Sequence, residues 1–182
     1  GENGSIPAFA RDILQTLEGA GHEAYCVGGC VRDTLLGRTP GDWDITTSAR
    51  PEETLALFGA DALPTGLRHG TVTVRRPDGS AEVTTFRRDG DYTDHRHPES
   101  VAFTDSLTED LARRDFTVNA MALSLRGELR DPFHGREDLA AGRIRCVGEP
   151  ARRFGEDALR ILRGLRFAAV LGFAIEPETA AA

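Results

Sequence analysis

Two carboxylates, Asp42 and Asp44, stand one residue apart in the run GDWDITT (41–47). Side chains of a strand alternate with period two, so both acids share one face and Trp43 takes the other. Adjacent carboxylates repel unless a cation lies between them. Oxygen donors at this spacing suit Mg2+, which keeps several waters and favours phosphate co-ligands. A structural acid pair at a strand start is the alternative. Glu82 opens a second β-favouring run, AEVTTFR (81–87). It reads either as an edge-blocking charge or as a third metal ligand. Three strand-borne acids would fit two-metal phosphoryl transfer.

Other segments could complete such a centre. VGGCVRD (27–33) places Gly28 and Gly29 between a strand and a helix, with Arg32 one turn further on. Backbone N–H groups at such a turn can approach an anion, and an arginine can clamp a phosphate. A tight structural turn and a surface ion pair are the bland readings. The pattern is not GxGxxG, which argues against a dinucleotide fold. RRDFTVNA (113–120) sets Arg113, Arg114 and Asp115 before a polar Asn119 in an apolar stretch. GEDALRILRGLRF (155–167) spaces Asp157, Arg160 and Arg163 three apart, followed by Arg166. On a helix these form a stripe: either an ion-pair face or donors and acceptors for the edge of a nucleobase.

The elements that must position these residues alternate in type. Residues 6–19 have helical apolar spacing, and 23–27 read as a short strand. A helix follows the glycine turn to Gly37, then comes the strand 43–47. Ser48 is expected to cap a helix over 51–58. Residues 70–76 and 81–87 form a hairpin, and 88–100 a long polar loop or mobile segment. A helix over 106–116, a strand over 120–125 with a return at 129–133, and a helix over 135–144 come next. From Pro150 to about Phe173 the spacing is helical again. This order predicts an α+β fold: a mixed, largely antiparallel sheet flanked by helices. A catalytic domain is expected over 1–147 and the start of an all-α domain over 148–182, with the chain a fragment of something longer.

Bulk properties narrow the function. The formal charge is −7 over 182 residues, against a general polyanion binder. The charge is uneven: 10 arginines against 19 acids in residues 1–110, then 12 against 10. All 22 basic residues are arginine. Lysine chemistry, including a Schiff base or a P-loop lysine, is thereby excluded. Any phosphate must be held by arginine, backbone N–H groups or metal. No apolar run reaches the ~18 residues of a membrane span, and the first residues do not resemble a signal peptide. Cys26, Cys30 and Cys146 lack framework spacing and read as small buried hydrophobes in a reducing, cytoplasmic setting.

Taken in order, GGCVRDTLLGRTPGDWDITT, EVTTFR, DGDYTDHRHP, RRDFTVNAMA and RFGEDALRILRGLRF resemble the motifs of bacterial class II tRNA nucleotidyltransferases, the CCA-adding enzymes, and of the related bacterial poly(A) polymerases. The resemblance runs from about residue 23 to 174. It implies a nucleotidyltransferase head followed by a helical neck, and addition of CCA from CTP and ATP to tRNA 3′ ends with Mg2+. Gly28, Gly29 and Arg32 would contact the triphosphate. Asp42 and Asp44 would hold the metal, with Glu82 the third catalytic carboxylate. Arg114 would bind the nucleotide, supported by Asp115 and Asn119. Asp157 and Arg160 would read the base edge, and Arg163 and Arg166 would complete the pocket. The 88–100 segment would be the flexible loop linked to the switch from C to A addition. Such families usually show Arg-Arg-Pro there, whereas this chain has Arg96-His97-Pro98, which bears on A addition. Poly(A) synthesis, partial CC or A addition, and a non-catalytic nucleotide or RNA-binding module are the alternatives. A chain lacking the tRNA-gripping regions is expected to bind Mg2+–nucleotide but extend tRNA poorly.

Overall fold

Ile13, Leu14 and Leu17 recur at helical spacing, and all three are fully buried on one side of helix α1 (Ala8–Gly19). That face covers a sheet in which residues 71–76 and 79–85 alternate in burial while residues 24–27 are buried throughout. The structure, a computed structural model, describes residues 6–89, 101–148 and 174–175. After α1 come β1 (Ala24–Val27), α2 (Gly29–Leu35), β2 (Asp44–Thr47), α3 (Pro51–Phe58), β3 (Ala62–Gly66), β4 (Thr71–Arg76) and β5 (Gly79–Thr85). The chain continues with β6 (Arg87–Asp89), β7 (Val101–Phe103), α4 (Leu107–Ala112), β8 (Ala122–Leu123), β9 (Leu129–Arg130), α5 (Gly135–Ala140) and β10 (Arg143–Ile144). Ala174–Ile175 form β11, parallel to β10.

Seven strands form the main sheet in the order β3-β4-β5-β2-β1-β8-β9. Its one parallel pair is β2 with β5; the other neighbours are antiparallel, so the expected mixed, largely antiparallel α+β fold is found. β5 lies inside the sheet, which removes the edge-blocking reading of Glu82. β6 and β7 pair as a separate two-stranded sheet.

Several boundaries differ from expectation. The hairpin is tighter, with only Pro77 and Asp78 between β4 and β5. A Cβ on Gly79 would lie 2.5 Å from the ring of Phe9, so a side chain there requires that ring to move. Ser48 does not cap α3: its Oγ accepts the Glu23 N–H at 2.9 Å. The first turn of α3 is closed instead by Glu53, whose carboxylate accepts the Arg50 N–H at 2.9 Å. β3 was not expected; its Pro64 is tolerated because β3 is an edge strand. The expected helix over 106–116 ends at Ala112, and the 120–125 strand contracts to two residues. The helix expected to reach 144 stops at Ala140, before Gly142 at φ 65°, and Arg143–Ile144 are extended. The helical stretch from Pro150 lies outside the described residues, and with it most of the second domain expected over 148–182.

Asp131 starts α5. Its carboxylate accepts the Gly135 N–H at 2.7 Å and the Arg136 N–H at 3.0 Å. Asp131→Ala leaves both donors at the helix start without that acceptor. The expected result is a loss of about 1–2 kcal/mol in urea unfolding, with Asp131→Asn losing less.

Candidate active site

The glycine turn after β1 is shaped for close approach. Gly28 adopts φ 82° and ψ −140°, a conformation that side chains disfavour. A Cβ on Gly28 would lie 3.6 Å from Nη1 of Arg114, and one on Gly29 would lie 3.3 Å from Nη2 of Arg32. Two guanidinium groups therefore stand over the turn, Arg32 from the helix that follows it and Arg114 from a distant part of the sequence.

Each is held by a side chain. Arg32 donates from Nη1 to Oδ1 of Asn119 at 3.0 Å and from Nε to Asp33 at 3.1 Å. Asn119 belongs to a 3-10 turn, Thr117–Asn119, that follows the RRD segment. The turn is braced from below: Thr117 Oγ1 donates to the buried Asp138 of α5 at 2.6 Å, and its N–H bonds the Arg145 carbonyl. Asp115 accepts the Phe116 N–H at 3.0 Å, and its carbonyl accepts the Val147 N–H. Arg114 donates from Nη2 to Asp110 at 3.2 Å.

Asp44 opens β2, whereas Asp42 lies in a bend two residues before it, outside the strand. Asp42 and Asp44 are exposed, whereas Trp43 is 7% exposed and packs in the core. In register, Asp44 lies opposite Glu82 of β5. Although Asp44 is exposed as a residue, the protein around its carboxyl partly shields it from water and pushes it above its ordinary value of 3.8; Arg114 offsets this, while Glu82 and Asp42 push it further up. Glu82 accepts a hydrogen bond from Thr73 at 2.8 Å. Among the described residues no three His, Cys, Asp or Glu side chains are gathered as a ready ligand set.

A cleft of ≈ 470 Å³ lies over this region, lined by Gly28, Gly29, Asp44, Arg113, Arg114, Asp115 and Asn119. It gathers residues from three separated motifs, with Arg32 behind Asn119. A second cleft, of ≈ 660 Å³ between Tyr25, Leu107 and Arg130, holds none of the expected site residues. Asp157, Arg160, Arg163 and Arg166 lie outside the described residues, as does the 90–100 part of the polar segment, including Arg96-His97-Pro98. Cys26, Cys30 and Cys146 are buried and not in disulfides, and burial pushes Cys26 well above the usual thiol range.

One residue at the site escaped the sequence reading. Asp110 of α4 is 1% exposed and accepts from Thr46 Oγ1 at 3.1 Å, from the Arg87 N–H at 2.9 Å and from Arg114. The available signal was the i,i+4 spacing of Asp110 and Arg114. Arg87 beside it is lowered to about 10, chiefly by burial and then by Arg113, and stays charged at neutral pH.

Residues 24–145 match the family model described as the poly A polymerase head domain. A CCA-adding enzyme of Lactobacillus helveticus (strain DPC 4571) is 55% identical over 170 residues, covering 93% of this chain and 42% of that protein. One from Geobacillus stearothermophilus is 54% identical over the same shares of both. A crystal structure of the Bacillus stearothermophilus CCA-adding enzyme in complex with CTP superposes with a TM-score of 0.86 at 49% identity, over 96% of this chain and 42% of that one. A tRNA nucleotidyltransferase complexed with a primer tRNA and an incoming ATP analog superposes with a TM-score of 0.74 at 37% identity, over 92% and 47%. The chain thus spans less than half the length of these relatives.

Proposed function

This chain belongs to the poly A polymerase head-domain family, and from that premise we propose that it serves template-independent addition of CCA, from CTP and ATP, to tRNA 3′ ends. The observation that carries the reading is the cleft in which Asp44, the Gly28–Gly29 turn, Arg114 and Asn119 meet. The naming of its relatives as CCA-adding enzymes favours CCA over poly(A) addition.

In this reading the triphosphate lies along Gly28 and Gly29, where no side chain obstructs the backbone. Arg32 and Arg114 meet its negative oxygens; with no lysine in the chain, they do this work together with backbone and metal. Asn119 orients Arg32, and Asp115 supports the segment that carries Arg114. Enzymes of this family use a divalent metal, and we assign Mg2+ to Asp42 and Asp44. Glu82 adds negative charge beside Asp44 as the third carboxylate. Bound there, Mg2+ would supply charge neutralisation on the phosphates and activation of the attacking hydroxyl. The tRNA 3′ hydroxyl displaces pyrophosphate from the α-phosphate; the protein contributes alignment and electrostatics. Asp157 and Arg160 would present the base-reading edge, with Arg163 and Arg166 closing the pocket. A cytoplasmic setting suits this substrate, and among the described residues no helix is long and apolar enough to cross a membrane.

The test is incubation with tRNA lacking its CCA end, Mg2+ and each labelled nucleotide in turn. Incorporation of C, then C, then A, even at low yield, and its loss in Asp42→Ala, is the expected result. Long A tails would replace this reading with poly(A) synthesis. Incorporation undiminished by Asp42→Ala would refute the metal assignment.

A further inference from the structure

We infer that Asp110 is a positioning residue that keeps the Arg114 guanidinium away from the Asp44 carboxylate, so that Asp44 stays available to a divalent cation; the inference rests on the metal assignment above. Asp44 and Thr46 stand two apart on β2 and so share one side of the strand, with Thr46 fully buried where Asp44 is exposed. Asp110 sits over the buried end of that row, accepting from Thr46 Oγ1 and from Arg114 Nη2 through the same oxygen, Oδ2. Its other oxygen takes the Arg87 N–H. The carboxylate is therefore fixed on three sides, with no rotamer freedom left to lose.

Arg114 is fixed in turn. Nη2 is on Asp110, and Nη1 points over the glycine turn at Gly28. Its charge already reaches Asp44, whose carboxyl it pulls down against burial. Yet among the described residues the ion pair Arg114 makes is with Asp110, not with Asp44. Without a charged Asp110, Asp44, which lines the same cleft and already feels this arginine's charge, is an anion within its reach. An Arg114–Asp44 pair would fill the donor positions a cation needs. Asp110 thus orders the two charges: arginine toward the phosphate side of the cleft, carboxylate toward the metal side. It also ties this arrangement to β6 through the Arg87 N–H.

Asp110→Asn is close to isosteric and keeps an acceptor for the Arg87 N–H while removing the charge. Binding of Mn2+ alone, followed by loss of the free-ion electron paramagnetic resonance signal, is the readout. Asp110→Asn is expected to weaken Mn2+ by about fivefold, the scale of one partly exposed ion pair competing for Asp44. Adding Arg114→Ala in the same chain is expected to restore the wild-type affinity, which a merely structural role of Asp110 would not produce. Equal binding by wild type and Asp110→Asn, or no recovery in the double variant, overturns the inference. Should Asp110→Asn not fold, Arg114→Lys takes its place: it keeps the charge without the fork that spans Asp110 and the turn. It is then expected to weaken Mn2+ too, and unchanged affinity overturns the inference. Failure of the wild type itself to bind Mn2+ removes the metal assignment, and this inference with it.

Discussion

Replacing Asp44 by asparagine is expected to abolish nucleotide transfer while raising the melting temperature. The two effects have one cause. Asp44 is held as an anion beside Asp42 and Glu82, and its carboxyl is pushed above the ordinary 3.8 mainly by burial. A carboxyl raised in the folded state contributes stability that is complete below 3.8 and is lost as pH rises through its raised folded value. At neutral pH the charge therefore weighs against folding, and asparagine removes that weight. The gain over wild type should shrink in scans below pH 4. It should also shrink at neutral pH when Mg2+ is added, because the cation stabilises wild type alone. Transfer should fall by at least about 10³-fold, since removing a metal ligand forfeits several kcal/mol of charge stabilisation. A variant that melts lower than wild type at pH 7, or retains transfer, would show that Asp44 is structural.

Gly135→Ala is expected to be the most destabilising single methyl in the described chain. A Cβ at this position would fall on the carbonyl oxygen of Thr117 and within 2.7 Å of its carbonyl carbon, with Met121 Cγ at 3.1 Å. The obstacle is backbone, so no rotamer change relieves it. Either α5 or the Thr117–Asn119 turn must move. Overpacking of this kind costs about 3 kcal/mol, on the order of 10 °C in melting temperature for a chain of this size. The displaced turn carries Asn119, which holds Arg32 at 3.0 Å. Where the variant still folds, its affinity for CTP should therefore fall more than that of Asp131→Ala, which weakens α5 without entering the turn. Wild-type melting in Gly135→Ala would contradict the packing of α5 on this turn.

The parts of the fold that were legible are those set by local pattern. Apolar spacing placed α1, and the pattern around Trp43 gave a buried tryptophan between two exposed aspartates. What sequence did not disclose depends on partners distant in the chain. β3 contains Pro64 and has little strand character of its own; it exists because β4 offers an edge. Arg143 and Ile144 look like the tail of a helix until β11 supplies a parallel neighbour. Glu82 could be read as an edge charge or a ligand until the strand order put β5 beside β2. At the site, motif residues were legible because glycine, acid and arginine types carry their own chemistry. Asp110 was not, because its role comes from where Thr46, Arg87 and Arg114 meet in space. The same holds for Thr117 and Asp138, twenty-one residues apart in sequence and hydrogen-bonded beneath the turn.

The most direct test of the central claim is anomalous scattering from crystals of this chain grown with Mn2+ and CTP. A manganese peak between Asp42, Asp44 and the triphosphate, with the phosphates over Gly28 and Gly29 and beside Arg114, is the predicted result. Manganese and nucleotide found elsewhere, for example in the cleft between Tyr25 and Arg130, with the Asp42–Asp44 face bare, would contradict it.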